Sequence, residues 1–238
     1  MTPIWIALAI ALISYLLGSI STARLVARKV APEIDLDKVE LPTDAGGILR
    51  LRTVGSTTAS IKLGAKIGYL IAFIDIFKGG LPVLILRILY PEQDYHLIAA
   101  VCVVAGHNWP IYHRFRGGGG IATYIGGSFI IDPIGAGVSL VSGVVLGAFV
   151  FRQMALVFML GPWIMLVWLC IFHTDWPHIA YGFLINVLLT LAVLPDMLVH
   201  IRSQRIKKGD MSKHMDLFPM YSIFSKYIRP KGGKTDQK

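Results

Sequence analysis

Residues 65–90 read Ala65-Lys66-Ile67-Gly68-Tyr69-Leu70-Ile71-Ala72-Phe73-Ile74-Asp75-Ile76-Phe77-Lys78-Gly79-Gly80-Leu81-Pro82-Val83-Leu84-Ile85-Leu86-Arg87-Ile88-Leu89-Tyr90. This run is longer than the roughly 20 apolar residues that a bilayer-spanning helix requires. It sets the fold class: an all-α, polytopic integral membrane helix bundle. Asp75 and Lys78 stand three residues apart inside it and so share one helix face. At 1.5 Å per residue they lie about 15–20 Å along the helix from its start. Charges at that depth must pair or line a polar cavity. The spacing reads as a structural ion pair ahead of a catalytic role. Gly79-Gly80 and Pro82 predict a kink or a close helix contact just beyond it.

Six further segments flank this run: Ile4–Ala27, His96–Tyr112, Ile121–Ile131, Ile134–Phe151, Met154–Phe172 and Ile179–His200. Ile121–Ile131 is too short to span alone. It reads as a half-helix, as a tilted helix packed in protein, or as one piece with the next segment across Asp132-Pro133. The whole chain agrees with a membrane reading. Of its 238 residues 55% are hydrophobic and 16% are Asp, Glu, Lys or Arg, against about 25% charged residues in soluble domains. Mean hydropathy is +0.64. A disordered chain, a nucleic-acid-binding domain and an ordinary soluble enzyme are excluded on these grounds. Cys102 and Cys170 lie inside apolar runs, and no Cys/His group has zinc-ligand spacing, so no metal is expected.

The net charge of +9 reads as membrane orientation. Seven segments with the N-terminus outside give the outer loops Pro91–Tyr95, Asp132-Pro133 and His173–His178, which hold Glu92, Asp94, Asp132 and Asp175 and no Lys or Arg. The inner loops hold Arg50, Arg52, Lys62, Arg114, Arg116 and Arg152, and the tail adds Arg202, Arg205, Lys207, Lys208 and Lys213. This is the separation that the positive-inside rule demands; six spans would misplace Arg152 or the tail. Residues 1–210 are expected to form a single multi-pass domain of the cell inner or plasma membrane, with a long cytoplasmic loop at 30–63. Residues 211–238 form a basic cytoplasmic tail, either interfacial or solvated.

Two constellations fall on the inner side. Gly106-His107-Asn108-Trp109-Pro110 precedes Arg114-Phe115-Arg116-Gly117-Gly118-Gly119-Gly120 and the start of the Ile121 segment. Four glycines let backbone N–H groups turn toward an anion, and a following helix adds its positive end. Arg114 and Arg116 offer guanidinium groups suited to phosphate, and His107 has an ordinary pKa near neutrality. A basic turn anchored to headgroups is the simpler reading. The second constellation is Arg52 with Ser56, Thr57, Thr58 and Lys62, just before the Ala65 helix. Its hydroxyls and cations suit phosphate too, although an ordinary helix cap with basic flanks explains them.

In order, these pieces resemble the acyl-phosphate-dependent glycerol-3-phosphate acyltransferases, the PlsY family. The resemblance rests on Tyr15-Leu16-Leu17-Gly18-Ser19-Ile20-Ser21-Thr22-Ala23, Leu63-Gly64-Ala65-Lys66-Ile67-Gly68 and Asp75-Ile76-Phe77-Lys78-Gly79. It is most specific at Gly106-His107 with Pro110, Phe115-Arg116-Gly117-Gly118 and Gly120-Ile121-Ala122-Thr123. It extends from about residue 12 to residue 131 and is weak beyond. It departs where the family's GGKG has Gly119 for lysine, where the first-loop GSGNxGATN keeps only Gly55, Ser56 and the Thr/Ser run, and where Ala155 replaces the serine after the fifth span. Arg202 stands at the asparagine of the C-terminal motif.

The resemblance implies seven spans, no metal or cofactor, and acyl transfer from acyl-phosphate to glycerol-3-phosphate, giving lysophosphatidate in phospholipid synthesis. His107 is the candidate catalytic group. Arg52, Ser56, Thr57, Thr58, Lys62, Arg114, Arg116 and Gly117, Gly118, Gly119 and Gly120 are candidate phosphate contacts. The lost lysine, asparagines and serine leave open a non-catalytic lipid- or acyl-phosphate-binding relative on the same scaffold. A small transporter is a third possibility, without a repeat to support it. Partners are the bilayer and the two substrates, with no nucleic acid; the sequence does not set an oligomeric state. The topology predicts that a cysteine at residue 93 labels from outside and one at residue 213 from the cytoplasm. Labelling of residue 93 from the cytoplasm alone would refute the seven-segment arrangement.

Overall fold

The computed structural model describes residues 4–42, 48–151 and 154–204. Asp44, Gly46-Gly47, Arg152 and the tail 211–238 lie outside the described residues, as do the side chains of Arg50, Ala155 and Arg202. The chain folds as α1 (Ile4–Gly18), α2 (Thr22–Val30), β1 (Glu40–Pro42), β2 (Ile48–Arg50), α3 (Ser56–Leu63), α4 (Ala65–Leu89), α5 (Tyr95–Asn108), α6 (Ile121–Ile131), α7 (Pro133–Val144), α8 (Met154–Phe172) and α9 (Trp176–Gln204). The helical membrane bundle expected from the apolar runs is present. Ile4–Val30, Ala65–Leu89, Pro133–Val150 and Trp176–Asp196 are long and apolar enough to cross a membrane, while Ile121–Ile131 and Leu156–Phe172 are shorter apolar helices.

Three local features depart from the sequence reading. The first segment is not one helix: α1 stops at Gly18 and α2 starts at Thr22, with Ser21 in an extended conformation between them. The long inner loop contains a two-stranded antiparallel ribbon pairing Glu40 with Arg50, Leu41 with Leu49 and Pro42 with Ile48. The Ile134 segment ends in a π-helical turn over Val145–Val150.

The shortness of α6 has a clear cause. Gly120, with a left-handed backbone, starts it, and Asp132 both ends it and begins α7. Eleven residues at 1.5 Å each span about 16 Å, half a hydrocarbon core. The carbonyls that end a helix need partners. Arg87 of α4 supplies them at the C-terminus by donating to the carbonyls of Ile130 and Ile131.

The core lies where α4, α5, α6, α8 and α9 meet, and Val83, Val103, Tyr124, Met165, Leu169 and Ile185 are buried there. Several of its polar groups are hydrogen-bonded, while Thr123 Oγ1 and Asn108 Oδ1 are buried without a partner. Ser128 and Tyr181 share a 3.0 Å hydrogen bond, and Asn186 donates to the carbonyls of Pro162 and Gly182. Trp5, Ile13, Phe73, Phe77, Ile134 and Phe183 are exposed on the outside of the bundle. This is the outward apolar surface a bilayer solvates.

Helix α4 crosses α6 at very close range. A Cβ on Gly79 would overlap the Thr123 carbonyl, and one on Gly126 would overlap the Ile76 carbonyl. Small residues let the two backbones touch, which drives helix association where lipid removes the hydrophobic advantage. The Gly79-Gly80 pair therefore marks a close contact. Gly126→Val should destabilise the protein by about 1–3 kcal/mol, the usual cost of overpacking. Gly137→Val should be near neutral, because nothing lies within 4 Å of that position. Thermal unfolding in detergent checks the contrast; equal melting temperatures would refute the close crossing.

Candidate functional site

The α1–α2 break leaves backbone carbonyls without helical partners at the level where α5 ends. Lys78 reaches into that gap. Its ammonium donates to Gly18 O at 3.2 Å and Ile20 O at 3.0 Å, and it lies 3.1 Å from His107 Nδ1. Asp75 Oδ1 pairs with Lys78 at 3.1 Å, and both side chains are almost fully buried. Thr22 at the start of α2 donates to the same Asp75 oxygen at 2.8 Å, and His107 Nδ1 stands 3.6 Å from it. The expected ion pair is thus present, and it joins the candidate histidine. An ammonium has donors only. His107 Nδ1 therefore accepts from Lys78, and in the neutral ring the proton sits on Nε2.

The Nε2 edge faces the glycine loop. A Cβ on Gly118 would overlap the imidazole at Nε2, and one on Gly117 would overlap the His107 carbonyl. Gly118 N donates to that carbonyl at 3.1 Å. At Gly120, φ is +81° and a Cβ would meet Asn108 Oδ1. Gly119 differs from these three. Its Cβ would meet just the Val193 side chain, at 3.3 Å, so this is the loop position that accepts a side chain with least strain. Arg114 and Phe115 turn the chain into the loop with φ of 51° and 58°, a conformation that non-glycine residues seldom adopt.

The loop between α2 and α3 packs onto the same place. Val54 N donates to Gly117 O at 2.7 Å, and a Cβ on Gly55 would stand 3.5 Å from Gly118 Cα. The two constellations therefore meet at Gly55, Gly118 and His107. Their members divide sharply. Arg52, Thr57, Lys62, Arg114 and Arg116 are exposed, and Ser56 is half-buried at the start of α3. Thr58 is buried and donates to Thr53 O at 2.6 Å, which commits its hydroxyl to shaping the loop.

Several contributors were not singled out from sequence. Asp196 of α9 accepts from Arg52 N at 2.8 Å, Thr53 N at 3.1 Å and Thr53 Oγ1 at 2.7 Å, tying the first loop to the last helix. Asp196 closes the apolar window Trp176–Asp196, so its depth gave no signal of this role. Arg24 is buried and clasps Asp37 at 2.5 and 3.1 Å. The Arg24 hydrogen bond holds the Asp37 carboxyl below its usual range against the opposing effect of burial, and the fields of His113 and Arg116 add to it. Tyr15 donates to Trp109 O at 2.7 Å, locking α1 to the end of α5.

A family model described as glycerol-3-phosphate acyltransferase matches residues 8–208. The glycerol-3-phosphate acyltransferase of Shouchella clausii (strain KSM-K16) is 30% identical over 187 residues, covering 76% of this chain and 85% of that protein. That of Clostridioides difficile (strain 630) is 35% identical over 130 residues, 52% of this chain, which spans 58% of that relative's length. Crystal structures of PlsY (YgiH), an integral membrane glycerol 3-phosphate acyltransferase, in its glycerol 3-phosphate and lysophosphatidic acid forms, match with TM-scores of 0.68 and 0.67. They are 26% and 25% identical, and each match covers 83% of this chain and 93% of theirs.

The buried network predicts a strong coupling. Asp75→Asn or Lys78→Met alone leaves an uncompensated charge and should cost about 3–5 kcal/mol. The double variant should be milder than either single one, as thermal unfolding in detergent will read. A double variant as unstable as the worse single one would exclude the pairing.

Proposed function

The chain belongs to the glycerol-3-phosphate acyltransferase family, and we propose that it transfers a fatty acyl group from acyl-phosphate to the sn-1 hydroxyl of glycerol-3-phosphate, releasing inorganic phosphate and lysophosphatidate. One observation carries this reading: the buried Asp75–Lys78–His107 chain ends with His107 Nε2 against the Gly117–Gly120 loop. The glycerol 3-phosphate and lysophosphatidic acid forms of PlsY support the same acceptor and product here. No nucleic acid takes part, and the acyl chain lies between apolar helices.

In this reaction the hydroxyl oxygen bonds to the acyl carbon, the acyl–phosphate C–O bond breaks, and the hydroxyl proton must leave. The leaving group is already good. The protein has mainly to orient two anions and to stabilise charge developing on the carbonyl oxygen. With Lys78 donating to Nδ1, His107 presents Nε2–H as a donor. It steadies a phosphate or the developing oxyanion, and the hydroxyl proton passes to a substrate phosphate oxygen. Gly118 is bare because the imidazole occupies the space of a side chain. Arg114, Arg116, Arg52 and Lys62 supply mobile cations at the mouth, in place of the lysine that the resemblance puts at residue 119. The site faces the cytoplasm, with the N-terminus outside.

Purified protein supplied with labelled glycerol-3-phosphate and acyl-phosphate should form lysophosphatidate. Gly118→Ala should push the imidazole aside, lowering kcat more than tenfold and lowering the melting temperature as well, because the displaced ring leaves Lys78 short of an acceptor. Arg116→Ala should weaken glycerol-3-phosphate binding by a decade or more, the worth of a charge-assisted hydrogen bond of about 1.5–3 kcal/mol. Gly119→Lys should raise activity, since Val193 has only to shift slightly. Absence of turnover in both the natural chain and Gly119→Lys would leave a binding protein and end the enzyme reading.

A further inference from the structure

The outer face, opposite the proposed reaction site, carries a second cluster. The turn from α8 to α9 reads His173-Thr174-Asp175-Trp176-Pro177-His178. His173, Asp175 and His178 each offer one ligand atom, and these atoms lie within 4.8 Å of one another. The two imidazoles stack with centroids 4.4 Å apart. Thr174 takes a φ of +55° to make the turn that brings them together.

Each imidazole is held by a carboxylate through one nitrogen. His173 Nε2 donates to Asp132 Oδ2 at 3.0 Å, and His178 Nδ1 donates to Asp175 Oδ1 at 2.7 Å. Asp132 is itself fixed by Trp168 Nε1 at 2.7 Å and Gly135 N at 2.8 Å. In a neutral ring whose one nitrogen donates, the other carries a lone pair. Nδ1 of His173 is thus prepared as a ligand, and a cation entering between His178 Nδ1 and Asp175 Oδ1 would take the place of the proton that joins them. For His173 the carboxylate behind the ring, Asp132, is the usual second layer of a metal site and raises the basicity of the ring. His96 stands beside them, its ring centroid 6.1 Å from that of His178, and its Nδ1 is buried without a hydrogen bond.

Helix capping explains part of this arrangement. Asp132 and Asp175 accept from backbone N–H groups three residues on, Gly135 and His178, as helix-starting residues do. Capping accounts for neither the two imidazoles brought onto these carboxylates nor the third beside them. The side chains of His173 and His178 are 28% and 14% exposed, so solvent reaches them. The outer loops carry no Lys or Arg, and Arg87 is tied to the carbonyls that end α6.

We propose that His173, Asp175 and His178 form a binding site for a borderline divalent transition ion, of the Zn²⁺ class, on the outer face of the bundle. Two imidazoles and one carboxylate suit such ions better than Mg²⁺ or Ca²⁺. Three protein ligands leave a fourth, tetrahedral position for water. Ligands of a tetrahedral zinc stand about 3.3 Å apart at bond lengths of about 2.0 Å. The two rings therefore have to turn out of their stack, and the ligand atoms to close in from their 4.8 Å spread, as the ion enters. The ion would staple the α8–α9 turn to the α6–α7 corner through Asp132.

The test uses tag-free, full-length protein in detergent, stripped with chelator and titrated with Zn²⁺ by calorimetry. One Zn²⁺ per chain should bind with micromolar affinity or better and raise the melting temperature. His173→Ala and His178→Ala should each weaken binding more than tenfold, and Asp132→Asn about tenfold, whereas His113→Ala on the inner side should leave it unchanged. If the substitutions unfold the chain, Co²⁺ added to the natural protein supplies the second reading: visible d–d bands of four-coordinate intensity, abolished by Zn²⁺. Absence of those bands, or Zn²⁺ binding that survives both histidine substitutions, would show the cluster to be a pair of helix caps only.

Discussion

The ammonium of Lys78 holds one half of the bundle together. It has three N–H groups and faces four acceptors: the carbonyls of Gly18 and Ile20, Asp75 and His107. A single buried cation thereby ties α4 to the α1–α2 break and to the end of α5. A broken helix in a membrane protein needs such a partner, because freed carbonyls find no water in the hydrocarbon. The cation needs the carbonyls equally, since one carboxylate does not satisfy an ammonium taken out of water. Asp75 in turn takes Thr22 Oγ1, the first side chain after the break. The break and the charge pair therefore stabilise each other.

Backbone contact does the rest of the positioning. Gly18 lies on the Val103 carbonyl and Gly106 on that of Tyr15, so α1 and α5 touch without side chains between them. Gly79 and Gly126 do the same for α4 and α6. These crossings fix where α5 ends and α6 begins, and hence where His107 meets the glycine loop. Asp196 then draws the first loop down from the other side. The meeting of His107 with the glycine loop thus rests on close backbone contacts between helices.

The apolar runs foretold the helices closely because length and hydropathy suffice for a membrane span; Ile121–Ile131 and Met154–Phe172 match α6 and α8 end to end. The Asp75–Lys78 pair was legible because its spacing is local. The α1–α2 break was not, because Ser19-Ile20-Ser21 sits in an apolar run and breaks it only when Lys78, far along the chain, claims the carbonyls. The β1–β2 ribbon was invisible for want of alternating apolar residues in Glu40–Pro42 and Ile48–Arg50. At the site, His107 and the glycine loop were found by motif. Their meeting with Gly55, and the use of Thr58 inside its own loop rather than toward a ligand, depend on tertiary contacts that residue types do not reveal.

The departures from the family pattern now have a physical pattern of their own. The buried members of the site, Asp75, Lys78, His107, Gly117 and Gly118, are all retained. The clearest loss, the lysine at Gly119, falls where a Cβ meets only a side-chain end. A lysine there is free to be lost without collapsing anything, whereas a side chain at Gly118 would strike the imidazole. The buried charge network resists change because each of its members leaves another unsatisfied. The loop cations do not, because water solvates whatever remains. A chain under selection to keep its bundle would retain this network even while its reach toward phosphate shifted from one cation to another. Retention of the network therefore keeps His107 against the glycine loop, the contact on which the proposed acyl transfer rests, and the exposed cations around Gly119 bear on how phosphate is held there.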